Sequence, residues 1–147
     1  VGLFDERLIR NQDYELNIRL RSGGGTVLFD PTMSVGYRPR GTWRALARPY
    51  FEYGRWKAVV MRMHPGSARA RQLAPPIAVV GIVAGVVLSR RHRPLALLPG
   101  TYGAVVVATA ARSSHPLIVL VAPLIHGAWS LGILAGALRS PGGARVG

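Results

Sequence analysis

The run Asn11-Gln12-Asp13-Tyr14-Glu15-Leu16-Asn17-Ile18-Arg19-Leu20 holds the residue types best suited to chemistry in this chain. A helix is predicted over residues 13–22, because Leu16 and Leu20 share one face while Tyr14 and Ile18 share the next. Asp13 then lies in the first turn, where free backbone N–H groups and the helix macrodipole favour the ionised carboxylate. A carboxylate held there can act as a general base, and it can equally serve as a plain helix cap. Metal chemistry finds no comparable cluster: Asp5-Glu6 has no nearby ligand set and the four histidines are scattered. Cysteine is absent, which excludes thiolate metal sites and a disulfide framework.

The elements that must position Asp13 are few. Gly23-Gly24-Gly25 stops the first helix. Two short strands are predicted next, Thr26 to Phe29 and Met33 to Tyr37, parted by the turn-favouring pair Asp30-Pro31. One helix and two strands leave an open sheet edge and an uncovered face, so this piece cannot bury a core alone. From Thr42 to about His64 a helical stretch follows in which arginines alternate with Trp43, Leu46, Tyr50, Phe51, Val59, Val60 and Met63. Arginine stems and aromatic rings on one segment suit a helix lying in the headgroup region of a membrane. Pro49 is expected to start a new turn or to kink it.

The remainder is membrane-like. All six acids lie before residue 53, whereas a water-facing surface normally mixes both signs of charge. Three spans are predicted, Leu73 to Ser89, Leu95 to Ala111 and Leu117 to Leu138. At ~1.5 Å per residue they reach roughly 26, 26 and 33 Å, against a hydrocarbon core of about 30 Å. The first two are joined by Arg90-Arg91-His92-Arg93-Pro94 and read as a tight helical hairpin. Basic residues on both sides of the spans leave orientation undecided by charge: Arg55, Lys57, Arg62, Arg69, Arg71 and Arg112 oppose Arg90, Arg91, Arg93, Arg139 and Arg145. Gly81 with Gly85, and Gly132 with Gly136, have the small-xxx-small spacing that allows close helix approach. His126 is the only titratable group deep in a span, and beside Trp129 it reads as a neutral hydrogen-bonded structural residue.

The formal charge of +13 is spread along the chain. Such a balance suits anionic lipid headgroups, a pyrophosphate-bearing substrate or nucleic acid. The last is disfavoured, because the basic residues flank spans instead of forming one stripe. Val1 is followed by no basic-then-apolar leader, and the chain is expected to be a C-terminal fragment.

Taken in order, Gly2-Leu3-Phe4-Asp5-Glu6, Gln12-Asp13-Tyr14-Glu15-Leu16, Arg19-Leu20, Gly24 and Pro31 resemble the second half of the catalytic domain in bacterial family 2 glycosyltransferases. Tyr37-Arg38-Pro39-Arg40, the run Tyr50 to Lys57, and His126, Trp129 and Gly132 are similar to the membrane-associated, succinoglycan-biosynthesis-like branch. The resemblance implies an α/β fragment, the C-terminal part of a GT-A-type domain over residues 1–72, followed by a membrane region over residues 73–147. It implies an inverting transfer of sugar from a nucleotide-sugar donor to a lipid-linked or polysaccharide acceptor, on the cytoplasmic face of the bacterial inner membrane. Asp13 would be the catalytic base. Gln12, which stands where that family usually has Glu, would be a supporting residue together with Glu15 and Tyr53.

Glu52-Tyr53-Gly54-Arg55-Trp56 resembles that family's Gln-x-x-Arg-Trp motif, with Glu in place of Gln. By the resemblance Arg55 would contact the donor pyrophosphate and Trp56 would stack on the acceptor. A guanidinium suits a dianionic leaving group, and the same pair also fits an interfacial anchor. A divalent metal, Mg or Mn, is implied for the whole enzyme, with ligands in an Asp-x-Asp motif that these residues lack, so the chain alone is expected to be inactive. A small basic integral membrane protein with a structural or assembly role is the alternative. It accounts for the spans and leaves the ordered motifs unexplained.

Overall fold

The structure is a computed structural model, and it describes residues 1–36 and 41–138. Five α-helices follow in order: α1 Gln12–Ser22, α2 Trp43–Met63, α3 Ala70–Leu88, α4 Leu97–Ser113 and α5 Ile118–Ala137, with a short 3-10 turn, Arg93–Ala96, leading into α4. Among the described residues there is no strand, so the expected α/β architecture is corrected to an all-helical one.

The segments predicted as strands show why. Val27, Leu28, Phe29, Met33 and Val35 are all exposed, and no partner strand satisfies their backbone groups. The Asp30 carboxylate closes a local turn instead, accepting from the Thr32 backbone N–H at 2.9 Å and from its hydroxyl at 2.7 Å. The end of the second predicted strand, Tyr37, lies outside the described residues, as do Arg38-Pro39-Arg40 and the tail arginines Arg139 and Arg145.

Helix α1 begins where expected. Asp13 and Glu15 lie in its first turn and Arg19 and Arg21 in its last, the arrangement that the macrodipole favours. It ends at the glycines, with Gly24 at φ 81° and the Gly25 N–H bonded to the Leu20 carbonyl. The small core outside the candidate spans is shared with α2: Leu8, Trp56 and Val60 are buried, with Tyr14, Ile18, Val59 and Met63 packed around them.

Helix α2 is capped by Thr42, whose Oγ1 accepts from the Ala45 N–H at 3.2 Å, and it runs through Pro49 as one helix. Its partner is α5, and three glycines set the approach. A Cβ on Gly132 would strike the Phe51 carbonyl oxygen, one on Gly136 the Arg55 carbonyl oxygen, and one on Gly54 the Trp129 carbonyl oxygen. The backbones therefore touch along a seam that only glycine permits. Arg62 Nη1 donates to the Gly136 carbonyl oxygen at 2.6 Å, satisfying an acceptor in the last turn of α5.

Three helical stretches, Ala70–Leu88, Arg93–Ser113 and Ile118–Ala137, are long and apolar enough to cross a membrane. Most of their apolar side chains face outward, among them Ile77, Val83, Val105, Leu120 and Leu131. Gly85 brings α3 against the turn before α4, since a Cβ there would lie 2.8 Å from the Leu95 carbonyl oxygen. Gly81 faces open space, so only one half of that glycine pair is a contact. Tyr102 on α4 and His126 on α5 share a hydrogen bond of 3.0 Å, the structural setting expected for a histidine in a span.

Candidate functional site

Two sequence runs some forty residues apart meet at the start of α1. Asn11 adopts a left-handed conformation, φ 63°, and its Nδ2 donates to the Tyr53 carbonyl oxygen at 3.0 Å. The Arg10 guanidinium lies over the Tyr53 ring, 5.7 Å from its centroid, and the Lys57 ammonium lies over the Tyr14 ring at 2.9 Å. The first turn of α1 is thus clamped to the middle of α2 on both sides of Asp13. Gln12 Nε2 donates to the Leu8 carbonyl oxygen, so it ties down the entering loop.

Asp13 itself is exposed and makes no hydrogen bond or ion pair among the described residues. An exposed carboxylate at a helix start retains its lone pairs for an incoming hydroxyl. Arg55 is partly exposed, 3.5 Å from the Glu52 carboxylate and 5.5 Å from the centroid of the neighbouring Trp56 ring. Its ion pair is long, and its remaining donors are available to an anion.

Trp56 is placed differently from what the resemblance implies. Its side chain belongs to the core with Leu8 and Val60 and is only 5% exposed, so it offers no open ring face for a sugar. Its indole N–H is buried without a partner. Tyr53, expected as a supporting residue, packs edge-on against Tyr50 with centroids 6.4 Å apart.

Glu15 is the electrostatic centre of the part outside the candidate spans. It is 1% exposed and accepts from Arg19 Nε at 2.8 Å and Nη2 at 2.9 Å, and from His64 Nε2 at 2.8 Å. Arg19 also donates to the Leu3 carbonyl oxygen at 2.6 Å and to that of Val1, which fastens the N-terminal loop to α1. Hydrogen bonds from Arg19 hold the Glu15 carboxyl below the usual glutamate range against the opposing effect of burial, and His64 adds to the effect. Asp5 is likewise lowered, to about 2, chiefly by its hydrogen bonds from Arg7. Glu15, Arg19 and His64, with Leu3, Asp5, Arg7 and Met63, line an open cleft of about 520 Å³. Asp13, Arg55 and Trp56 lie outside it.

Lys57 and His64 carried no signal in the sequence beyond membership of a basic helix. The Arg19–Glu15 pair was legible as an i,i+4 spacing. Among the described residues no three His, Asp or Glu side chains converge to hold a metal, so the residues present do not fit the divalent ion that the resemblance implies. Comparison with family models, with curated proteins and with solved structures finds no match to this chain.

Proposed function

We propose that this chain is the membrane-attached part of an inverting glycosyltransferase. It would transfer sugar from a nucleotide-sugar donor to a lipid-linked or polysaccharide acceptor at the cytoplasmic face of a bacterial inner membrane. The observation that carries this reading is the docking of Asn11–Tyr14 on Tyr53–Lys57, which groups the two runs that resemble catalytic motifs. The glycine seam with α5 then holds that group beside a helix long enough to span.

The chemistry assigned to the chain is limited to its own residues. Asp13 would take the proton from an acceptor hydroxyl as that oxygen forms a bond to the anomeric carbon. The bond from that carbon to the donor phosphate breaks on the opposite face, and the configuration inverts. A hydroxyl is a weak nucleophile near neutral pH, and a placed base contributes ~10²–10⁴-fold. Arg55 would offset the charge gathering on the departing diphosphate. No step is assigned to a metal.

Because the chain alone is expected to be inactive, the test uses membranes carrying it joined to the donor-binding half that this reading requires, with radiolabelled UDP-glucose, UDP-galactose and GDP-mannose, each with extracted lipid acceptor. Asp13→Asn should reduce transfer at least ~10²-fold while leaving donor binding unchanged. Turnover above about a tenth of the original would remove Asp13 as the base. Absence of transfer from any of these donors by that longer protein, folded and inserted, would favour the structural alternative.

A further inference from the structure

The join between α2 and α3 holds a group of cations that the proposed transfer does not use. Lys57 is 3% exposed yet has no carboxylate partner among the described residues; its ammonium rests on the ring of Tyr14. A buried ammonium without a counter-ion is costly unless something supplies negative charge. The Tyr14 hydroxyl donates to the Ser67 carbonyl oxygen at 3.0 Å, and Gln72 Nε2 lies 3.5 Å from that hydroxyl. Gln72 in turn caps the start of α3, its Oε1 accepting from the Arg69 N–H at 3.1 Å. Trp129 of α5 donates to the Gln72 carbonyl oxygen at 3.1 Å. The place is therefore built from α1, α2, α3 and α5 together.

Arg69 and Arg71 are exposed on this same join, and both disfavour the charged form of Lys57, whose ammonium is already held below its usual range by burial. Ser67 Oγ is buried there without a hydrogen-bond partner. Three mutually repelling cations and an unused hydroxyl donor thus stand where the first candidate span begins, at Ala70. No acid of the sequence follows Glu52 to neutralise them.

We propose that Lys57, Arg69, Arg71 and Ser67 form a site for a phosphate monoester or diphosphate borne by a membrane lipid. A phosphate oxygen accepts from ammonium, guanidinium and hydroxyl alike, and its charge relieves the repulsion among the cations. The position at the start of a span puts such a phosphate at headgroup depth, where basic side chains recognise anionic lipids. The inference goes beyond glycosyl transfer and stands without it, since it concerns binding alone.

The experiment reconstitutes the full protein in phosphatidylcholine nanodiscs and measures retained lipid by native mass spectrometry, with phosphatidic acid or phosphatidylserine added in equal amount. Phosphatidic acid offers an exposed phosphate monoester, whereas phosphatidylserine offers comparable surface charge without one. Retention of phosphatidic acid should exceed that of phosphatidylserine, and the exposed-residue double variant R69Q/R71Q should lower it by about tenfold or more. Lys57→Gln should lower it by about fivefold, with helical content unchanged by circular dichroism. Equal retention of the two lipids, or full retention by R69Q/R71Q, overturns the proposal. Displacement of phosphatidic acid by millimolar inorganic phosphate would assign the site to a soluble phosphate and overturn its assignment to a lipid.

Discussion

Asn11 Nδ2 reaches the Tyr53 carbonyl oxygen at 3.0 Å from a left-handed backbone at φ 63°, so the residue that precedes α1 also fixes it to α2. Asparagine tolerates that conformation far better than alanine does. Asn11→Gly should lose the hydrogen bond alone, about 0.5–1.5 kcal/mol. Asn11→Ala should lose the bond and add about 1–2 kcal/mol of backbone strain. Chemical unfolding of the detergent-solubilised protein, followed by Trp56 fluorescence, measures both. Equal losses in the two variants would mean that α1 starts elsewhere.

Glu15 makes the packing of α1 on α2 acid-sensitive. Its carboxyl is depressed by Arg19, opposed by burial and helped by His64, so the folded chain binds this proton less readily than the unfolded chain does. The resulting stabilisation is complete above the unfolded-state value and fades as pH falls through the folded one. The melting temperature should drop as pH falls below the usual glutamate range, and Glu15→Gln should flatten that slope while lowering the plateau near neutrality. Asp5 acts in the same direction, but its partner Arg7 is 79% exposed and its share should vanish in about 1 M salt, whereas that of Glu15 should persist. An unchanged slope in Glu15→Gln would assign the acid sensitivity to other groups.

The glycine seam gives a prediction with an internal control. At Gly132 an added methyl would collide with the Phe51 carbonyl oxygen, which cannot rotate away, while at Gly81 it would meet nothing. Gly132→Ala should push α2 off α5, and Gly81→Ala should be neutral or slightly stabilising through helix propensity. A disulfide engineered between Ala58→Cys and Gly136→Cys would be too disruptive, since Gly136 is in the seam itself. Thermal unfolding in detergent separates the two alanine variants instead, and indistinguishable melting curves would show that the helices do not meet at Gly132.

The membrane helices were legible because their signal is local. Length, apolar content and the lack of acids fixed three spans, and the structure shifts their ends by only a few residues. Helix α1 was equally legible from Asp13 at its start and the glycines after Ser22. The strands were not, because the apolar run Val27 to Phe29 reports a propensity that becomes a strand only when a neighbour accepts its hydrogen bonds. The partner of Gly132 and Gly136 was also hidden: the spacing marks a close approach, and nothing local says that α2, with its six charged residues, is what approaches. At the candidate site, Asp13 and Arg55 could be picked out by type and order. The Lys57–Tyr14 and His64–Glu15 contacts depend on how α1 lies across α2, which no spacing along the chain encodes.

Arg55 and Trp56 are adjacent in sequence and should separate in their effects. Arg55 has a partly exposed guanidinium whose contacts are a long ion pair with Glu52 and the neighbouring Trp56 ring at 5.5 Å, so its replacement by lysine disturbs little of the packing. An ammonium cannot reproduce a planar two-point contact with phosphate oxygens. Under the proposed function, Arg55→Lys in the longer protein that includes the donor-binding half should raise the donor KM by about tenfold, the equivalent of one charged hydrogen bond, without changing the melting temperature. Trp56 fills the core between Leu8 and Val60, so Trp56→Ala should cost about 3–5 kcal/mol. Trp56→Phe should cost far less, because the indole N–H has no partner to lose. Its acceptor KM should then stay near that of the unsubstituted protein. Steady-state kinetics with donor and acceptor varied in turn, beside melting curves of the same preparations, measures every term. A stable Trp56→Phe protein with a sharply raised acceptor KM would show that the indole meets the acceptor after all, and a donor KM unmoved by Arg55→Lys would remove Arg55 from the pyrophosphate.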